Sequence, residues 1–139
     1  MSTYPQLFQT VLDTENAREL AEFYRELLGL VYREGDQPAE NSGGGGDDSD
    51  WLVLVDSNGG RTLAFQQVTS LSPTTWPTDD VPMQLHLDMT VPSVEELHEQ
   101  RWRAEALGAQ LLLDRASHPD EPLYVLADPA GHPFCIFVL

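Results

Sequence analysis

The chain contains no lysine: its basic side chains are seven arginines, set against 23 acids, for a formal net charge of −16. A surface of that sign repels phosphate backbones and anionic lipid, so neither nucleic acid nor a membrane surface is expected as a partner. Much of the excess reads as a solubilising coat, although it leaves room for a cationic partner. Cysteine is nearly absent too. Cys135 stands alone, which excludes an intrachain disulfide and suits a reducing cytoplasm, the expected location. No run reaches the ~18 apolar residues of a membrane helix. The first residues, Met1-Ser-Thr-Tyr-Pro-Gln6, lack the basic-then-apolar order of a secretory signal. What is present suffices for one domain: 139 residues, 41% of them hydrophobic, can bury a core without staples.

The chain repeats itself. In the first half Phe8–Asp13 reads as a strand, Asn16 as a helix cap, and Gly29 as the helix stop. Between them Leu20, Phe23, Tyr24, Leu27 and Leu28 form an apolar stripe at helical spacing. In the second half Gln84–Thr90 alternates polar and apolar residues, the period of a strand. Ser93 with Glu96 forms a capping box for a helix that ends at Leu107-Gly108. Val94, Leu97, Ala104 and Leu107 make its apolar face, interrupted by Arg101, which must snorkel. Asn16 stands to Ser93 as Gln9 stands to His86, at the same offset. A short strand follows each helix (Leu30–Arg33 and Gln110–Leu113), and then two strands joined by Asp-x-x-Gly. These are Trp51–Val55, Asp56–Gly59 and Arg61–Val68 in the first half, and Leu123–Leu126, Asp128–Gly131 and Pro133–Val138 in the second.

Two segments interrupt the pattern. Gly35–Asp50, with Gly43–Gly46 in a row among acids, reads as a surface loop. Asp47, Asp48 and Asp50 would repel a phosphate there. Residues 69–83, rich in Ser, Thr and Pro, read as a linker between module one (residues 5–68) and module two (residues 84–139). Trp76 in this linker is a candidate lid or packing residue, whereas Trp51 and Trp102 read as packing residues.

Along Gln84–Thr90, Leu85, Leu87 and Met89 point one way, and Gln84, His86, Asp88 and Thr90 point the other. The apolar side should meet a helix. His86 and Asp88 are then same-face neighbours, able to form an oriented imidazole–carboxylate pair that acts as a general base. The plainer alternative is a polar pair bonded to backbone or water.

The run from Val11 to Gly29, with Phe23-Tyr24 and Leu28-Gly29, resembles the first motif of glyoxalase-like proteins. His86-Leu-Asp-Met-Thr-Val91 is similar to the strand that opens their second module. Leu126-Ala-Asp-Pro-Ala-Gly-His-Pro-Phe-Cys-Ile-Phe137 is similar to their C-terminal Asp-Pro-x-Gly hairpin. The chain therefore resembles the glyoxalase / bleomycin-resistance / extradiol-dioxygenase superfamily, the vicinal oxygen chelate fold. The resemblance implies an α+β domain: two tandem β-α-β-β-β modules in a curled, mostly antiparallel mixed sheet, with a concave groove and outer helices. It also implies a homodimer, by analogy alone.

Metal-dependent members of that superfamily hold one divalent ion with side chains from four strands. On this chain those positions are Gln9, Gln66 (or Gln67), His86 and Cys135. Both expected carboxylates are missing. Two neutral amides and an imidazole give a hard divalent ion no charge compensation, so no catalytic metal or other cofactor is expected. Cys135 then reads as a small hydrophobe between Phe134 and Ile136.

What the resemblance leaves is a groove that binds a small, partly aromatic or cationic organic molecule. Its candidate lining is Gln9, Val11, Gln66, His86, Asp88 and Phe137, with Trp76 as lid; core packing is the alternative for each. Two further readings stand beside this one. The first is a metal-dependent lyase or dioxygenase with an unusual ligand set, and the second a metal-free enzyme using His86 and Asp88 as acid and base.

Overall fold

The computed structural model describes residues 4–39 and 49–139. Of the loop expected over Gly35–Asp50, residues 40–48, with the Gly43–Gly46 run, therefore lie outside the described residues. The fold is α+β: the described residues form two helices and eight strands, with the strands divided into two four-stranded sheets. By contacts the chain divides into Met1–Ser70 and Leu71–Leu139, so residues 71–83 of the expected linker belong with the second unit.

Each unit is one β-α-β-β-β module. The first contains β1 (Thr10–Thr14), α1 (Ala17–Leu28), β2 (Val31–Tyr32), β3 (Trp51–Val55) and β4 (Arg61–Gln67). Its sheet order is β1-β4-β3-β2, with β1 parallel to β4 and the other pairs antiparallel. The second contains β5 (Leu87–Val91), α2 (Val94–Ala106), β6 (Gln110–Arg115), β7 (Leu123–Ala127) and β8 (Pro133–Val138). Its order is β5-β8-β7-β6, again with only the β5–β8 pair parallel. The duplicated pattern in the sequence is thus a duplicated topology.

Helix α1 begins where Asn16 accepts the Glu19 N–H at 3.1 Å, and it ends at Gly29, whose φ of 68° few other residues adopt at low cost. Its buried face is Ala17, Leu20, Ala21, Phe23, Tyr24 and Leu27. Leu28, counted in the apolar stripe, is exposed. Tyr24 stacks on Phe65 of β4 at 6.0 Å between centroids. Helix α2 is capped by Ser93, which accepts the Glu96 N–H at 3.2 Å. Only Leu97 and Ala104 of this helix are buried. Arg101 snorkels as expected: its guanidinium bonds Glu105 at 2.8 Å and lies 4.9 Å from the centroid of the Tyr124 ring. Trp102, read as a packing residue, is instead 58% exposed and stacks only loosely on His98.

The strand expected over Gln84–Thr90 forms only from Leu87, which pairs with Phe134. One position earlier the ladder would face Pro133, and proline has no N–H to give. His86 therefore lies just outside β5. In the other module the strand expected from Phe8 starts at Thr10.

Candidate functional site on the second sheet

Asp88 and Cys135 are direct partners across the parallel β5–β8 pair, and residues paired in this way project from the same side of a sheet. The opposite side, through Phe134 and Ile136, is fully buried. Alternation puts Thr90 and Phe137, also a pair, on the Asp88 side. His86 joins them two residues before Asp88. One donor atom from each of His86, Asp88 and Cys135 lies within 4.8 Å of the other two. The His86 Nε2 is 3.3 Å from the Asp88 Oδ1, with both side chains about half exposed.

The chemistry of the trio follows from its surroundings. Burial, reinforced by the neighbouring Asp88 carboxylate that accepts its hydrogen bond, pushes the Cys135 thiol up to about 11. At neutral pH the sulfur therefore keeps its proton, and a protonated thiol is a poor nucleophile. Cys135 is half-buried and faces two polar groups, so its environment is more polar than that of a core residue. Contact between Asp88 and the His86 Nε2 leaves the Nδ1 as the free edge of the ring, the arrangement of an oriented base.

Among its described residues the first module carries no equivalent trio. Gln9 lies one residue before β1, as His86 lies one before β5. Val11 pairs with Ala64, the pair at the level that Asp88 and Cys135 occupy in the second module. The Gln9 Oε1 accepts a hydrogen bond from Arg61 at 2.8 Å, and that guanidinium sits over the Phe8 ring. Gln66 is two residues beyond Ala64, exposed, between Asp13 and Trp51 in the ladder. Gln67 serves the fold, because its Oε1 accepts the Ala17 N–H at 2.9 Å and so helps to start α1. Trp76 is half-buried within the second unit, where its backbone N–H donates to the Thr74 hydroxyl.

The family model of the glyoxalase-like domain matches residues 9–137, nearly the whole chain. The chain belongs to the glyoxalase-like family. No curated protein matches the sequence. Solved structures of the same fold include a glyoxalase/bleomycin resistance protein/dioxygenase family enzyme from Burkholderia phytofirmans PsJN. It is 17% identical with a TM-score of 0.67, over 96% of this chain and 98% of that one. The fosfomycin resistance protein FosX from Listeria monocytogenes is 15% identical, TM-score 0.66, over 99% and 95%. A glyoxalase-related enzyme from Fulvimarina pelagi is 20% identical, TM-score 0.64, over 98% and 89%. At such low identity the structural likeness shows a shared fold alone.

The divalent ion that the glyoxalase-like resemblance implies does not fit the residues of the first module. The oxygen of Gln9 already accepts from a guanidinium, and a second cation beside Arg61 would be repelled. Ala64, level with Cys135, has no donor atom at all. Strand register sets Ala64 level with Cys135 and a long-range side-chain contact joins Arg61 to Gln9, which is why neither Arg61 nor Ala64 stands out in the sequence. The described residues contain no helix long and apolar enough to cross a membrane.

Proposed function

We propose that this glyoxalase-like protein binds a small organic molecule, cationic or partly aromatic, and does so without the four-position metal chelate of its relatives. The observation that carries the reading is the Arg61–Gln9 hydrogen bond, with Ala64 in the ladder where a carboxylate would be needed. With no Lewis acid to be positioned, the non-helical faces of the sheets are available for binding. On the second module that face offers His86, Asp88, Thr90 and Phe137, a carboxylate and an imidazole beside an aromatic ring. On the first it offers Val11, with Gln66 beside the exposed Asp13. Carboxylates among apolar and aromatic groups suit an organic cation through charge and ring contact.

A thermal-shift screen of organic cations and neutral aromatics, followed by calorimetry on any hit, tests this proposal. A hit with a micromolar dissociation constant, weakened about tenfold or more by Asp88→Asn, is the expected result. Binding that appears only after a divalent ion is added would overturn the metal-free reading.

The 3.3 Å His86–Asp88 contact supports a second reading, in which the pair performs acid–base chemistry on the bound molecule. The Asp88 carboxylate would hold the Nε2 proton while the Nδ1 accepts one from substrate. A turnover lost in both His86→Ala and Asp88→Asn, with binding retained in the former, would favour catalysis over binding alone.

A further inference from the structure

We infer that the outward face of α2 docks a basic segment of another protein, with an arginine side chain seated against Trp102, Glu99 and Glu95. The repeat carries the argument. At the offset that relates Asn16 to Ser93 and Leu20 to Leu97, Arg18, Glu22 and Arg25 of α1 correspond to Glu95, Glu99 and Trp102 of α2. In α1 the Glu22 carboxylate accepts from Arg25 at 2.7 Å, so carboxylate and cation satisfy each other. In α2 the carboxylate remains, but an indole stands where the cation was. Neither Glu95 nor Glu99 has an ion pair among the described residues, and Trp102 is more than half exposed. The three residues share one stripe of the helix, at i, i+4 and i+7. That stripe lies opposite Leu97 and Ala104, the residues that α2 buries.

Charge and geometry choose the occupant. A guanidinium offers a flat face to an indole and paired N–H donors to a carboxylate. An arginine of the partner thus restores on α2 the carboxylate–cation pair that α1 makes internally. The helix's own cations are engaged elsewhere, Arg101 by Glu105 and Arg103 by Gln100. A second copy is a poor occupant, because each chain brings a net charge of −16 and like charges repel. The face is also separate from the organic-ligand surface. Tyr124, which bonds His98 of α2, pairs with Ile136 and so places the helix on that side of the sheet, whereas Asp88 projects from the other. The inference therefore goes beyond the organic-ligand reading and does not depend on it.

The test titrates the full chain with an alternating arginine–glycine peptide and follows the indole N–H signals by NMR, with the lysine–glycine analogue in parallel. Saturable binding that shifts the Trp102 signal, weakens with salt and is tighter for arginine is the expected result. Trp102→Ala should weaken the peptide about threefold or more, the loss of an exposed cation–π contact. Glu95→Gln combined with Glu99→Gln should weaken it by about the same factor. Asp79→Asn combined with Asp80→Asn removes two charges from another exposed segment and should leave affinity unchanged. All five positions are exposed, so the variants should keep the fold, which circular dichroism checks. Undiminished binding to Trp102→Ala, or equal weakening by the Asp79 and Asp80 changes, overturns the inference and leaves only attraction to an acidic coat. A lysine peptide that binds as tightly overturns the stacked arginine. A dimer in sedimentation that Trp102→Ala dissociates overturns it in favour of a second copy. The organic-ligand proposal survives each of these outcomes.

Discussion

Asp56 and Asp128 close their respective hairpin turns with the same set of hydrogen bonds. The Asp56 Oδ1 accepts from the backbone N–H groups of Asn58 and Gly60, at 2.8 and 2.9 Å. The Asp128 Oδ1 accepts from Ala130 and His132, at 3.0 and 2.9 Å. In each turn the aspartate carbonyl also accepts from the glycine three residues on, Gly59 or Gly131, and its own N–H donates to the next carbonyl. Repeated sequence has produced repeated turn chemistry, which identifies the modules as copies more firmly than shared topology does.

The two aspartates should nevertheless differ in energetic weight. Asp128 is 4% exposed, whereas Asp56 lies in an exposed turn. Removing a carboxylate from buried N–H donors costs about 1–3 kcal/mol, but exposed donors can turn to water at about 1 kcal/mol or less. Asp128→Ala should therefore lower stability clearly more than Asp56→Ala in urea denaturation. Equal losses would contradict the burial argument.

Gly131 makes a second contrast, with Gly29. Both have positive φ, 97° and 68°, but a Cβ on Gly29 would enter open space. On Gly131 it would collide with the Pro73 Cβ, where the Thr74 N–H also donates to the Gly131 carbonyl at 2.9 Å. Gly29→Ala should cost about 1–2 kcal/mol, the usual left-handed penalty. Gly131→Ala should cost more, because residues 73 and 74 must also move. Matching melting temperatures for the two variants would show that this contact is easily displaced.

Tyr32 predicts a pH effect. Its hydroxyl donates to Glu22 at 2.7 Å and its ring lies under the Arg18 guanidinium. Burial, opposed by Arg18 and aided by the Glu22 carboxylate, pushes this phenol up to about 12. The unfolded chain ionises the phenol from its ordinary value of 10.0, while the folded chain still holds the proton. The unfolded state therefore binds fewer protons, and stability falls as pH rises from 10 to 12, by at most about 1.4 kcal/mol per pH unit. Tyr32→Phe should remove that part of the slope. Denaturation at pH 9 and pH 11 on both proteins measures it, and parallel slopes would contradict the assignment.

The elements with local signals were legible in the sequence. Asn16, Gly29 and Ser93 mark helix ends, and the two Asp-x-x-Gly turns reveal the hairpins and the repeat. What was not legible depends on register. The one-residue shift between Leu54 and Val55 in the β3–β4 ladder makes Ala64, not Leu63, the β4 residue level with Cys135, whereas pattern matching selects Gln66. Pro133 shortens β5 from its partner strand, far away in sequence. The closeness of Cys135 to Asp88 has the same origin, since the two residues meet only through the parallel pairing of β5 and β8. His86 and Asp88 can be found because two-residue spacing on a strand is a local property. The partners of Gln9 and Gln67 cannot, because both are set by tertiary contact.

The most direct test of the account is metal analysis by mass spectrometry on untagged protein dialysed against manganese, iron(II) and nickel, with Gln9→Ala in parallel. A first module that cannot ligate an ion predicts that Gln9→Ala leaves the content of all three ions unchanged. One manganese or iron per chain, lost in Gln9→Ala, would show that the glyoxalase-like chelate is intact and that the metal-free reading is wrong.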